Sequence, residues 1–264
     1  MSGVTIRNVW KEYAGQTVLE RLNLHVASGE FVTIVGASGC GKTTFLRMLL
    51  GQESPTRGTI LLDGQPLPAE PGPERGIVFQ RYSVFPHLSA LDNVTLALEL
   101  PASPVLGRLF AREKRIARDK AAAMLRAVGL EHAFDRYPSE LSGGMQQRLA
   151  IAQSLVSAPK VLLLDEPFGA LDPGIRGDMQ ALIRQIWQQT GVTVFMITHD
   201  LPEAFALGSR VLVFDKPRID PQAPQAYGAT ITYDIPLRGR PGQVPDALVQ
   251  RLSSAPGAPN EEAS

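Results

Sequence analysis

Five short, nearly continuous apolar runs set the strongest limit on what this chain can fold into. They are Phe31–Val35, Gly76–Phe79, Val161–Leu164, Val192–Ile197 and Val211–Phe214. Each is bounded by turn-forming residues and has the length of a strand rather than a helix. A strand with one face in water alternates apolar and polar residues, whereas a strand covered on both faces does not. The runs therefore predict a parallel sheet buried between other layers. Helices are legible between them. Asp172 and Pro173 open one as N-cap and first helical residue; Ile175, Met179, Leu182, Ile183 and Ile186 form its buried face, and Gly191 ends it. Ala117, Ala121, Met124, Leu125 and Val128 form the face of another, which stops at Gly129. Between Thr59 and Gln65 the Asp63-Gly64 pair predicts a tight hairpin. The expected class is α/β, a mixed core sheet with an antiparallel piece within residues 1–70.

Composition removes several classes. A chain of 264 residues, 44% hydrophobic and 20% charged, can bury the core of one large domain, so it is neither disordered nor collagen-like. Its 26 Lys and Arg balance 26 Asp and Glu, which argues against binding to a nucleic-acid backbone. Cys40 is the single cysteine, so an intramolecular disulfide framework and a multi-cysteine metal site are excluded. The first residues hold no apolar core of a signal peptide. No apolar run approaches the roughly 18 to 20 residues of a membrane span. The chain is expected to be soluble and to reach any membrane through a partner.

From Pro101 to about Arg136 strand runs vanish and helix formers dominate, so a helical insertion is expected, bounded at about 88–158. Six basic and two acidic residues between Arg108 and Lys120 form the one local basic run, either a solvated helix face or a contact with lipid or a membrane protein. Beyond Lys216 the last 48 residues hold eight of the 21 prolines. Thr230–Pro236 could add an edge strand there, with Pro236 tolerated at its end. The organisation expected is one main domain over 1–228, a short extension over 229–252 and a disordered tail over 253–264.

Chemistry begins where the first run ends. Gly36-Ala37-Ser38-Gly39-Cys40-Gly41-Lys42-Thr43 fits the phosphate-loop pattern and lies between an expected strand and a helix expected from Thr44 to Leu50. Glycines let successive backbone N–H groups turn toward phosphate oxygens, and the helix N-terminus adds positive partial charge. Lys42 would face the β and γ phosphates, and the Thr43 hydroxyl would ligate Mg²⁺. Cys40 occupies a variable slot, as a small packing residue or a reactive thiol. Asp165 and Glu166 follow the third apolar run, Val161–Leu164, at the edge where ligands bind in parallel sheets. Asp165 can hold Mg²⁺ through water, and Glu166 can polarise an attacking water; a solvated pair of acids is the alternative. His199 follows another strand toward the same edge, as a γ-phosphate contact or a merely exposed ring. Gln80 ends the Gly76–Phe79 run and by itself carries almost no signal.

Leu141-Ser142-Gly143-Gly144-Met145-Gln146-Gln147-Arg148 resembles the signature segment of ATP-binding cassette (ABC) transporter ATPase subunits. Gly36–Thr44, Gln80, Asp165, Glu166, Ala170-Leu171-Asp172 and His199 complete that family's ordered set, over residues of about 4 to 215. The resemblance implies the P-loop cassette fold, ATP and Mg²⁺ as ligands, and ATP hydrolysis. It implies that Ser142, Gly143, Gly144 and Gln146 close on the nucleotide held by a second copy, giving a homodimer around two ATP molecules. It makes Tyr13 the aromatic that stacks on adenine, with a core or surface aromatic as the alternative. Gln80 would reach Mg²⁺ and the attacking water, Asp172 would lie at the dimer seam, and His199 would be the switch histidine. Lys42, Gln80, Glu166 and His199 are thus the expected catalytic set.

Asp165–Asp172 and Tyr82–Ser89 look like those of bacterial importer subunits, and the length resembles the nitrate, sulfonate and taurine subfamily. About 65 residues follow His199, too few for the regulatory barrel of the sugar-importer branch. Phe85-Pro86-His87 stands where that subfamily often has Leu-Pro-Trp. The expected partners are a membrane permease and, indirectly, a solute-binding protein, with no nucleic acid, at the cytoplasmic face of the inner membrane. Tyr82, Val84, Phe85 and Pro86 would meet a short helix of the permease, unless the helical insertion covers them. An exporter ATPase and a soluble cassette acting on DNA or ribosomes are the alternatives.

Overall fold

The computed structural model describes residues 3–79, 83–102, 111–218, 220–223 and 226–237. From the N-terminus, β1 (Gly3–Tyr13) and β2 (Gln16–Ala27) form a long hairpin, followed by β3 (Phe31–Gly36) and α1 (Lys42–Leu50). A second hairpin joins β4 (Arg57–Leu62) to β5 (Gln65–Pro66), and β6 (Arg75–Val78) follows. Three helices come next, α2 (Ala90–Ala102), α3 (Ala111–Ala127) and α4 (Gly143–Leu155). Then come β7 (Val161–Asp165), α5 (Pro173–Thr190), β8 (Thr193–Ile197) and α6 (Leu201–Leu207). β9 (Arg210–Asp215) and β10 (Thr230–Pro236) end the described chain.

The strands make an antiparallel sheet of order β2-β1-β4-β5 and a core sheet of order β10-β9-β3-β8-β7-β6. All five apolar runs are parallel neighbours in the core sheet, and β10 lies antiparallel to β9 at its edge. Their lack of alternation has a direct cause. Phe31, Leu162, Leu164, Val194 and Met196 enter one core cluster, shared with α2, α3, α4 and α5. Their neighbours Val32, Ile34, Leu163, Phe195 and Ile197 enter the other, shared with α1 and the antiparallel sheet. Both faces are covered, so no position on these strands is left for a polar residue to face water.

Local signals place the connections. Asp63 and Gly64 both take positive φ, 52° and 82°, as the two-residue hairpin between β4 and β5 requires. Asp172 is the N-cap of α5, Pro173 opens it, and Gly191 closes it in the left-handed region. Met179, Leu182, Ile183 and Ile186 are buried as expected, but Ile175 is not: it is 36% exposed. It stands in the first turn, near the place where α5 meets α4: a β-carbon on Gly144 would lie 2.7 Å from Ile175 Cγ2. On α3, Ala117, Ala121 and Leu125 are buried, as is Val128 just past its end, while Met124 is half-buried. Arg112, Lys114, Arg115, Arg118 and Lys120 are exposed, which agrees with a solvated face; Arg108 lies outside the described residues. The expected tail 253–264 also lies outside them. Among the described residues no helix is long and apolar enough to cross a membrane.

Candidate functional site

Because β3, β7 and β8 run parallel, the residues that follow them emerge at one edge of the sheet. Gly36 ends β3 with φ 154°, and a β-carbon there would lie 2.2 Å from the Phe214 carbonyl oxygen. Gly41 has φ 88°, with Leu19 Cδ2 2.7 Å from where its β-carbon would be. Both positions therefore demand glycine. No side chain caps α1 and its first turn holds no acid, so the free N–H groups at its start are available to an anion. Lys42 is buried, and its Nζ donates to the carbonyls of Gly36 at 2.6 Å and Ala37 at 2.8 Å. The loop thus holds its own cation in place. Cys40 is half-buried, and burial pushes its thiol up from the ordinary value, so it suits packing better than nucleophilic chemistry.

Opposite the loop stand the acids of β7. Burial pushes the Asp165 carboxyl above the usual carboxylate range, the Thr43 hydroxyl hydrogen bond opposes that shift, and the Glu166 charge adds to it. Glu166 has φ 46°, an uncommon conformation for a residue with a side chain, and its amide donates to the Ile197 carbonyl at 3.1 Å. His199 Nδ1 lies 3.6 Å from Glu166 Oε2, too long for a hydrogen bond but close enough for a charge interaction when the ring is protonated. Together Val18, Gly36, Ser38, Gly39, Gly41, Lys42, Thr43, Thr44, Glu166 and His199 line one open cavity of about 450 Å³. That is a ligand-sized space with Lys42 and one acid, Glu166, in its wall.

A network built on the buried Thr198 and Glu203 flanks His199, and the sequence reading missed it. The Thr198 hydroxyl donates to the Glu203 carboxylate, which also accepts from Gln180 Nε2 at 3.0 Å. The Glu203 amide donates to Asp200 Oδ1 at 3.0 Å, capping α6. Arg176 reaches from α5 to Asp200, 3.7 Å away, and to the Leu171 carbonyl. The available signal was Asp200 followed three residues later by Glu203, a helix-start pattern.

Other expected site residues lie apart from the cavity. Ser142 is the N-cap of α4, accepting from the Met145 amide at 3.4 Å, with Gly143 and Gly144 in the first turn. The Gln146 amide nitrogen donates to the carbonyls of Pro138 and Leu141, which ties it to its own loop. Ser142 and Asp172 thus begin two helices that touch at Gly144 and Ile175, and neither lines the cavity. Tyr13 is 41% exposed and outside the cavity wall; its hydroxyl bonds Glu53, and Lys11 Nζ sits 4.7 Å from the ring centroid. Thr44, on the wall, also reaches the Tyr13 hydroxyl. Gln80 and Tyr82 lie outside the described residues.

The family model described as "ABC transporter" matches residues 19–169. The aliphatic sulfonates import ATP-binding protein SsuB of Yersinia pestis (biovar Antiqua, strain Antiqua) is 39% identical over 94% of this chain and 82% of its own length. The bicarbonate transport ATP-binding protein CmpD of Synechocystis is 44% identical over 80% of this chain and 73% of its own. The spermidine/putrescine import ATP-binding protein PotA of Lawsonia intracellularis is 43% identical over 82% of this chain, which spans only 57% of that protein. Among solved structures, the dimeric post-hydrolysis cassette MJ0796, bound to ADP and Pi, superposes with TM-score 0.70 at 29% identity, covering 90% of this chain and 100% of that one. The chain therefore belongs to the ABC transporter family, as one of its ATP-binding and ATP-hydrolysing subunits.

Proposed function

We propose that the chain powers uptake of a small solute through a separate membrane permease, as a homodimer closed around two ATP molecules. The observation that carries this is the division of the site. The phosphate loop, Glu166 and His199 line one cavity, while Ser142, Gly143, Gly144 and Asp172 begin helices outside it. A second copy, with its own Ser142 turn facing the loop, would complete the site. Gly36–Thr44 would cradle the phosphates, Gln146 would hold the Ser142 turn, and Asp172 would lie at the seam. Tyr13 would stack on the base.

The donor set fits a hard cation. Thr43 and Asp165 offer oxygens side by side, and Asp165 is a half-buried acid whose ionised form gains from a cation. Among the described residues no group of three His, Cys, Asp or Glu forms a metal cage. Thr43, Asp165 and, as the family resemblance implies, Gln80 would hold Mg²⁺, which would neutralise charge on the phosphates. Glu166 would orient the attacking water, and His199 would contact the γ-phosphate side of the cavity. Import-type relatives support an importer at the cytoplasmic face of the inner membrane, fed by a solute-binding protein. The match to SsuB, over 94% of this chain and 82% of its own length, supports a solute of the nitrate, sulfonate and taurine class. Release of phosphate and ADP would reopen the dimer.

Glu166→Gln tests the reading. It keeps size and hydrogen bonding but cannot polarise water, so turnover should fall by about 10²- to 10³-fold. The variant should accumulate as a dimer in Mg-ATP. Light scattering that shows only monomer would refute either the shared site or the role of Glu166.

A further inference from the structure

The segment after β9 lines no part of this cavity, yet it pairs with the strand that forms one wall of it. Val18 lines the cavity, and Leu19 packs beneath Gly41. The backbone of this stretch of β2 is held by the far end of the described chain. The Glu20 amide donates to the Ala229 carbonyl, and the Ala229 amide donates to the Val18 carbonyl, each at 2.9 Å. Gly228 lies so close that a β-carbon there would stand 2.9 Å from the Leu19 backbone. Beside them the Glu20 carboxylate is 4% exposed and meets Arg218 Nη2 at 2.5 Å. Arg218 in turn covers the Tyr227 ring, 4.3 Å from its centroid.

A carboxylate taken out of water needs a cation and well-placed donors to offset its desolvation, and an apolar residue would often pack as well. Such a pair is better suited to specifying where two segments meet. Here the segments are 198 residues apart in the chain, and their meeting point is the strand behind the glycine-rich loop. A shift of Val18 or Leu19 would change the cavity wall directly and crowd Gly41, which has no room to give.

We propose that Arg218 and Tyr227–Ala229 brace Val18–Glu20 against the glycine-rich loop, and thereby set how tightly nucleotide is bound. Arg218 and Glu20 are positioning residues, since neither lines the cavity. The inference rests on the cavity being the ATP site. The test is binding of a fluorescent ATP analogue and steady-state ATP turnover by the full chain, with Lys42→Ala as the control for the site itself. Arg218→Ala should raise the dissociation constant and the KM for ATP about fivefold. At saturating ATP its kcat should stay within about twofold of wild type, a split that general loss of folded protein does not produce. The double variant Glu20→Gln with Arg218→Ala removes the unpaired buried charge and should bind as weakly; it decides the matter if Arg218→Ala alone does not fold. Arg218→Lys should restore part of the affinity. Wild-type affinity in the folded double variant, or a fall in kcat with affinity unchanged, overturns the brace. If Lys42→Ala binds the analogue as tightly as wild type, the ATP-site reading itself fails; sensitivity at Lys42 with none at Arg218 sinks the brace alone.

Discussion

Lys42 uses two of its ammonium protons on carbonyls of its own loop, at Gly36 and Ala37. A longer contact reaches Cys40 Sγ at 3.8 Å and Lys42 lines the cavity, so the loop is shaped before a phosphate arrives. That preorganisation predicts a large effect of this one side chain on turnover and a small one on the fold. Lys42→Ala should lower ATP turnover by at least about 10²-fold. It leaves two carbonyls with a lost partner, at about 1 kcal/mol each, which moves the melting temperature by only a few degrees. Turnover near wild type in the purified, folded variant would mean that the loop does not serve phosphate. Glu166 shows what residue-level reading can and cannot deliver. Its place after an apolar strand was legible, because an acid at a strand end is visible as such. Its left-handed backbone was not, since it depends on the Ile197 carbonyl waiting across β8.

Among the elements, the hairpin between β4 and β5 joins the two sheets through one acid. Asp63 accepts from Lys160, at the entrance to β7, and from the Gly3 amide, and these two bonds hold its carboxyl below the usual carboxylate range. The sign of the pH effect follows. A folded-state pKa below the unfolded value of about 3.9 contributes stability above that value and loses it as pH falls through the folded pKa. Asp63→Asn keeps a residue tolerant of positive φ, removes the charge and leaves one accepting oxygen where the carboxylate uses two. The variant should be slightly less stable than wild type at neutral pH, and the two should converge below about pH 4. Urea unfolding at several pH values measures this, and a constant gap across the range would show that Asp63 acts through shape alone. Asp63-Gly64 itself was legible, as were the Asp172-Pro173 start and the Gly191 stop, because each depends on two or three neighbouring residues. The strand order β9-β3-β8-β7-β6 was not, because apolar runs declare burial without naming their neighbours. Ile175 was misjudged for a related reason: helical period assigns it to the buried face, but the first turn of α5 projects where that face is only partly covered.

On the scale of the whole molecule, the question is how nucleotide chemistry reaches a partner in the membrane. The stretch after Gln80 was legible only as an apolar cluster without strand or helix period, covered either by the helical insertion or by a permease. The structure separates its residues. Val84 packs against the core cluster of the helical layer, whereas Phe85 stays 38% exposed beside His87, with ring centroids 6.0 Å apart. Asn93, wholly buried on α2, fixes the posture by accepting from the Phe85 amide at 2.7 Å and donating to its carbonyl at 3.0 Å. The backbone is anchored while the ring is presented outward, which suits a contact made by another chain. If a permease helix packs on Phe85, then Phe85→Asp places an unpaired charge in an apolar interface, at a cost of about 2 kcal/mol or more. The folded state loses little, because the replaced ring already meets water. The variant should keep wild-type melting, ATP binding and turnover as an isolated chain, and should fail to co-purify with the permease. Recovery of the permease at wild-type yield would remove Phe85 from the interface, and precipitation of the variant would show that the ring belongs to the fold after all.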